Sequence, residues 1–269
     1  MSNMSRNTIP VDVLRAILKH VDKADLVTIC QLNKICCSCS QDVLYRNINI
    51  QLQSVTQLRV HQTLAQSAHL ARRVHSFATY YSDPVLPMAL RNMSSLRHLK
   101  LMHRLTNADI LEGCTFKLES FTSYLFHTRS FFQFLDSQPS LTDVECWTYR
   151  DPNPQLIEAS PQSIKASSLP NLTRIAAEYS KLQQFITGRP ISDVIVFIDL
   201  IDLIDPDEDS VDFTLSTAPI KRLRIDYSYL RRKPFHLLAS TFSSLTNLSL
   251  DAFSFSFEQF QTVCDPDLI

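Results

Sequence analysis

Apolar and polar positions in residues 9–50 alternate with the period of short amphipathic helices. In the first helix the apolar positions recur every three to four residues, as one face of a helix requires: Val13, Leu14, Ile17, Leu18 and Val21. Pro10 precedes this run, and we expect it at the first helical position, where its missing amide hydrogen costs nothing. The sequence therefore predicts a helix that starts at Ile9-Pro10.

Two further helices are predicted between residues 22 and 40. Asp22 and Asn33 each precede an apolar run, and their side chains are of the type that caps helix N-termini. The apolar positions of these helices are Leu26, Ile29 and Cys30 in the second, and Ile35, Cys36 and Cys39 in the third. Three helices in about 30 residues bury too little apolar surface to be stable alone, so we expect this unit to pack against other parts of the chain or a partner.

The period then changes from helical to extended. Ile48, Ile50 and Leu52 alternate with polar residues, which indicates a strand. Leu58, Leu64, Ala65 and Ala68 then indicate one more helix, which ends near His69. Residues 51–73 are thus expected to connect the helical unit to the rest of the chain.

From residue 74 onward a strand pattern repeats, with apolar residues at offsets 0, 3 and 5, although the residue at offset 5 is sometimes small or polar. The eight starts are 19 to 31 residues apart: Val74, Leu96, Leu118, Leu141, Leu172, Ile191, Ile220 and Leu245. Helical patterns lie between strands at 130–135, 182–186 and 235–241. Because a strand and a helix of this size cannot bury an apolar face alone, we expect an α/β stack with a curved parallel sheet.

The residue order in the opening stretch resembles the F-box motif. It comprises Ile9-Pro10, Leu14, Ile17-Leu18, Asp25-Leu26, Ile29, Leu32, Lys34 and Leu44-Tyr45-Arg46. The resemblance implies docking on the Skp-type adaptor of SCF ubiquitin ligases, and through it on a cullin. By position, it assigns adaptor contacts to Ile9, Pro10, Leu14, Leu26, Ile29 and Leu32. The alternative is a helical cap that closes the open end of the following domain.

The repeating strands resemble the leucine-rich repeats of fungal F-box proteins. The resemblance implies a three-helix F-box at 1–50, a connecting strand and helix at 51–73, and an irregular leucine-rich-repeat solenoid at 74–269. The family's asparagine or cysteine at offset 8 is absent, since Arg104, Phe126 and Tyr149 stand there. We therefore expect the turns to be stabilised by other groups. The apolar end, AFSFSFEQFQTVCDPDLI, suggests either a truncated solenoid or a surface that meets a partner.

Composition narrows the functional classes. A net charge of −1 gives no general attraction to nucleic acid or membrane. No apolar run approaches the ~18 residues of a membrane span, and the N-terminus lacks a signal-peptide core. We therefore expect a cytoplasmic or nuclear protein that binds neither nucleic acid nor membrane.

No constellation of residues predicts catalysis, a metal site or a cofactor. The chain has 2 glycines, too few for a phosphate-binding loop. Cys36, Cys37 and Cys39 lack zinc-site spacing, so core packing is the first interpretation, with metal or redox roles as alternatives. His61 and His69 are expected on a solvated helix face. The leading hypothesis is a non-enzymatic substrate receptor of an SCF-type ligase with an unknown protein target. The alternative is a repeat scaffold whose helices only cap it.

Overall fold

The computed structural model describes residues 9–50, 55–105, 108–125, 129–147, 164–165, 167–197, 211–226 and 242–251. Within these ranges the chain forms eight α-helices and nine strands. The sheet is parallel, follows chain order from first strand to last, and does not close into a barrel. The chain divides into two compact units, Met1–Leu141 with Tyr149–Ser160, and Thr142–Thr148 with Pro161–Ile269. The predicted boundaries at residues 50 and 73 both fall within the first unit.

The first unit begins with the three predicted helices, α1 (Val11–Leu18), α2 (Lys23–Ile29) and α3 (Lys34–Leu44). Their shared core consists of Leu18, Leu26 and Cys39. Pro10 is the N-cap of α1 rather than its first helical residue, and its carbonyl accepts the first helical hydrogen bond, from the Leu14 amide at 3.0 Å. The Asn33 cap is confirmed, because its side chain accepts a 2.8 Å hydrogen bond from the Cys36 amide.

Strands and helices then alternate through the rest of the first unit. The elements are β1 (Asn47–Ile50), α4 (Val55–Gln66), α5 (Ala68–Ala71), β2 (Ser76–Thr79), α6 (Leu86–Asn92), β3 (His98–Leu105), a 3-10 helix (Ala108–Leu111), β4 (Ser120–Leu125) and α7 (Arg129–Asp136). β1 to β4 pair in parallel, with Ser76 opposite His98 and His98 opposite Ser120. Equivalent residues of successive repeats therefore stand side by side.

The second unit repeats the same arrangement. Its elements are β5 (Asp143–Cys146), β6 (Arg174–Glu178), α8 (Tyr179–Ile186), β7 (Asp193–Phe197), a 3-10 helix (Phe213–Leu215), β8 (Arg222–Asp226) and β9 (Asn247–Asp251). All four pairings are parallel and keep one register. One row across these strands reads Asp143, Arg174, Asp193, Arg222 and Asn247.

The repeat pattern is confirmed at the level of individual strands. Each of β2 to β9 begins two residues after a predicted motif start. In the first seven motifs, the residues at offsets 0, 3 and 5 are at most 6% exposed. Helices cover this face, as shown by Phe121 of β4, whose ring contacts those of Phe131 and Phe134 on α7. In the eighth motif, Leu248 and Leu250 are 38% and 39% exposed.

Side chains before three of the strands form hydrogen bonds to the backbone of neighbouring segments. Asn92 donates to the carbonyls of Leu64 and Ala65 at 3.1 and 2.8 Å, where α4 ends. Gln138 accepts a 2.9 Å hydrogen bond from the Leu118 amide, one repeat earlier. Arg189 is fully buried and donates to carbonyls at the end of α8 and at the preceding junction. Three different residue types thus stabilise the segments before these strands through side-chain hydrogen bonds.

Two expectations about side chains are confirmed only in part: His69 is exposed and Cys39 is in the core, but their neighbours differ. His61 is not solvated: it is fully buried on α4, with Nδ1 on the Asp83 carboxylate and its ring against Phe77 at 5.8 Å. Of the clustered cysteines, only Cys39 is buried, whereas Cys30, Cys36 and Cys37 are partly exposed. The helix predicted at 235–241 and the C-terminal end lie outside the described residues.

Candidate functional site

The three-helix unit carries most of the exposed apolar side chains in the described part of the chain. Thirteen large hydrophobic residues there are exposed, and seven of them lie between residues 9 and 35. They are Ile9, Val11, Val13, Ile17, Val27, Leu32 and Ile35, with exposed fractions from 41% to 68%. We call these seven residues the helical apolar surface. Concentrated apolar exposure of this kind marks interaction surfaces, whereas scattered exposure does not.

The six predicted adaptor contacts fall into three groups. Ile9, Pro10 and Leu32 are exposed, and Leu32 is the most exposed at 68%. Leu14 and Ile29 are partly buried and pack against the small core. Leu26 is 1% exposed within that core, so its side chain holds the helices together. The assignment of all six to an adaptor stays a prediction, and the exposed members are the ones a partner can reach.

The geometry of α1 shows which way its exposed apolar residues face. Arg15 forms an ion pair with Asp42 of α3, at 3.3 Å between Nη2 and Oδ2, so this side of α1 faces α3. Val13 and Ile17 lie two residues before and after Arg15, which places each about 160° around the helix axis from it. These two side chains therefore point away from α3. Leu18, on a third side, enters the core.

Sequence periodicity placed Val13 and Ile17 in the apolar stripe but did not indicate that they are exposed. The signal was the width of that stripe, since adjacent pairs such as Val13-Leu14 and Ile17-Leu18 span more than one contact face. One residue of each pair is directed toward the core, as Leu14 and Leu18 show, and the other toward solvent. Val27 was missed because it lies beside the core residue Leu26 in sequence. Ile35 was assigned to the apolar positions of the third helix, and periodicity did not show that it is exposed.

A network of polar contacts attaches the helical unit to the segment after α5. The Arg73 guanidinium pairs with the Asp42 carboxylate, and it donates to the Ser38 carbonyl at 3.0 Å. Asp42 thus accepts from both Arg15 and Arg73. The chain also continues from α3 directly into β1, the first strand of the sheet. The helices are therefore fixed to the repeat region while their apolar surface remains exposed.

A second candidate surface lies on the second unit, on the sheet face opposite the buried offsets. There, acidic and basic residues alternate from strand to strand. Arg174 pairs with Asp143 at 2.6 Å and lies 3.7 Å from Asp193, and Arg222 pairs with Asp193 at 2.9 Å. Opposite charges facing each other across strands stabilise their register. Arg222, at the end of this charged row, keeps 62% of its side chain exposed.

Two aromatic rings lie on the same face. Trp147 follows β5, and Phe197 ends β7; their rings stack at 3.5 Å between centroids with 21° between planes. The Trp147 indole also donates to Glu145 at 2.9 Å. The rings bridge β6, whose Ala176 and Glu178 on this face are 0% and 9% exposed. We call Trp147, Phe197 and the charged row the open sheet face.

Two thiols have shifted titration. Burial, helped by the neighbouring Cys37 thiol, raises the pKa of Cys30. Burial raises the pKa of Cys114 to about 12, only partly offset by the charge of Arg91. Both thiols are therefore less nucleophilic at neutral pH than an ordinary cysteine.

Within the described residues, no helix is long and apolar enough to cross a membrane. The chain matches no protein-family model and no curated protein sequence.

Proposed function

We propose that the protein is the substrate-recognition subunit of an SCF-type ubiquitin ligase. The helical apolar surface docks a Skp-type adaptor, and the repeat region binds a target protein. The observation that carries the proposal is the placement of seven exposed hydrophobic residues on a small helical unit with its own core. The F-box-like order of residues 9–46 and the succession of leucine-rich-repeat-like strands support the same assignment.

In this proposal the chain works by proximity and performs no bond chemistry. The adaptor connects the chain to a cullin, and the bound target is thereby held near a charged ubiquitin carrier. Tethering raises the effective concentration of target lysines without any catalytic group in this chain. The contacts between Arg73, Asp42 and Ser38 suit this role, because they hold the docking helices to the repeat region.

The open sheet face is the proposed target surface. Its charged row offers alternating donors and acceptors at the strand spacing, while Trp147 and Phe197 supply an aromatic anchor. Aromatic residues and arginine are the side chains that most often dominate binding energy at protein interfaces.

A repeat scaffold capped by the helices is the second candidate. The observation in its favour is the same attachment through Arg73 and the continuation of α3 into β1, which are what a cap needs. A unit that only caps the repeats, however, is expected to be polar where it faces solvent, and this one exposes apolar side chains.

Retention of the full chain on immobilised Skp-type adaptor distinguishes the two candidates. Burying one leucine side chain contributes ~1.5–3 kcal/mol, so Leu32→Ala should weaken adaptor binding by roughly ten- to hundredfold. Leu32→Glu should abolish it. Met88→Glu is the matched control, because Met88 is 57% exposed on α6, away from the helical apolar surface.

Leu26 is not a suitable position for this test, because its replacement disrupts the core. If the adaptor fails to retain the wild-type chain, the receptor proposal is refuted and the scaffold remains. Equal loss with Met88→Glu and Leu32→Glu would show that the binding is not specific to the helical apolar surface.

A further inference from the structure

Cys30 and Cys37 lie next to each other across the turn between α2 and α3. Cys30 is the C-cap of α2, and Cys37 lies in the first turn of α3. The Cys30 thiol sulfur is 3.9 Å from the Cys37 carbonyl oxygen. Disulfides require this sort of adjacency between cysteine backbones.

Both thiols are free and partly exposed, so a small oxidant can reach them. The backbone on each side is fixed: the Cys30 amide donates to the Leu26 carbonyl at 3.0 Å, and the Cys37 amide donates to the Asn33 carbonyl at 2.8 Å. Cys39 differs, because it is buried in the core of the helical unit. The contact with Cys37 and the burial of Cys39 therefore favour Cys37 as the partner of Cys30.

We propose that Cys30 and Cys37 form a reversible disulfide that ties α2 to α3. Oxidised glutathione is a sufficient oxidant. One protein thiolate attacks a glutathione sulfur, which releases one reduced glutathione and leaves a mixed disulfide. The second protein thiolate then attacks the protein-side sulfur and releases a second glutathione. One disulfide is exchanged for another: the protein loses two electrons and two protons, and glutathione gains them.

The disulfide closes a short loop that contains Leu32 and Ile35. Closing this loop restricts the turn, so its amide hydrogens should exchange more slowly in the oxidised protein. Because these two residues belong to the helical apolar surface, redox state would also affect adaptor docking; this consequence, unlike the disulfide itself, rests on the proposed function.

The test equilibrates the full native chain in glutathione buffers of rising oxidised fraction. Free thiols are then blocked with N-ethylmaleimide, and the unreduced digest is analysed by mass spectrometry. We expect a disulfide between Cys30 and Cys37 that dithiothreitol reduces. The same disulfide should form in the Cys36→Ser variant. Cys37→Ser should lose the cross-link and accumulate glutathione on Cys30. Because burial raises the pKa of Cys30, formation should be faster at pH 8.5 than at pH 7.

Unfolded protein provides the control for geometry. Cys36 and Cys37 are similarly spaced from Cys30 along the chain. In the chain unfolded by urea, the Cys30–Cys36 and Cys30–Cys37 disulfides should therefore form in comparable amounts. In the native chain the Cys30–Cys37 product should exceed the Cys30–Cys36 product by at least about tenfold. A native chain that links Cys30 to Cys36 or Cys39 overturns the proposal. A second result also overturns it: in a buffer where Cys30 of the Cys37→Ser variant becomes glutathionylated, the native wild-type chain keeps both Cys30 and Cys37 reduced. Neither result depends on adaptor binding.

Discussion

Arg189 is fully buried, and its replacement tests how the repeats are held together. Its guanidinium donates to carbonyl oxygens on two segments. On α8 and the residues after it, the acceptors are Gln184, Phe185 and Thr187, at 2.8 to 3.2 Å. At the junction before β6, they are Lys165 and Ser168, at 2.7 and 2.8 Å. One side chain thus satisfies the end of α8 and the preceding turn together.

Arg189→Met removes these donors while keeping an unbranched apolar side chain. The hydrogen bonds to Ser168 and Phe185 are buried, and each bond to a charged donor contributes ~1.5–3 kcal/mol. The other three carbonyls are only partly buried and can bond to water instead. Loss of the buried charge offsets part of the cost. We therefore expect a net loss of about 3–5 kcal/mol in the free energy of unfolding of the second unit.

The assay is urea unfolding followed by the fluorescence of Trp147, the single tryptophan of the chain. Trp147 belongs to the same unit as Arg189 and stacks on Phe197, so its emission reports unfolding of that unit. With a urea m-value of about 2 kcal/mol/M, the midpoint should fall by about 1.5–2.5 M. Arg222→Met is the matched control, because its exposed ion pair is worth at most ~1 kcal/mol. Equal midpoints for the two variants would refute the reasoning.

Three further outcomes are expected. Leu26→Ala should destabilise the helical unit by about 2–5 kcal/mol through a core cavity, whereas Leu32→Ala should change its stability by less than ~0.5 kcal/mol; amide exchange of α1 to α3 measures both. Asn33→Ala should cost about 1 kcal/mol by removing the cap of α3, seen as faster exchange of the Cys36 amide, and Asn33→Asp should restore it. Cys114 should resist iodoacetamide in the folded chain at pH 8 and react on unfolding. Burial raises the pKa of Cys114 from the ordinary value of 9.0 to about 12 in the folded chain. The stability that the protonated thiol contributes is therefore complete below pH 9 and is lost as the pH rises toward 12. Cys114→Ser should remove this pH dependence of the free energy of unfolding, measured by urea titrations at several pH values.

The sheet was the most predictable part of the fold. The apolar offsets 0, 3 and 5 alone located every strand from β2 to β9, because burial on one face imposes the same pattern on each repeat. The three helices at the start followed from periodicity, and the Asn33 cap followed from its position before an apolar run. Local rules were sufficient where the structure depends on neighbours in sequence.

The rest depends on contacts that periodicity does not encode. His61 is buried because Asp83, 22 residues later, accepts from its ring, and no local pattern identifies that partner. Arg189 is buried because it donates to carbonyls of two separate segments, and no local pattern identifies those acceptors. At the candidate site, the resemblance assigned the same role to Leu26 and Leu32, yet one is 1% and the other 68% exposed. Only the packing of three helices separates them.

The constant register of the strands has a consequence for how this chain can diversify. Motif starts are separated by 19 to 31 residues, yet residues at the same motif position still stand opposite one another, as Asp143, Arg174, Asp193 and Arg222 do. Insertions between strands therefore leave the strand pairing unchanged. The exposed side chains of the sheet are arranged in rows and columns, and a substitution at one motif position changes a single point of that array. Replacing exposed side chains on this face, or lengthening a connecting segment, would therefore change the surface of the sheet and leave the core beneath it unchanged.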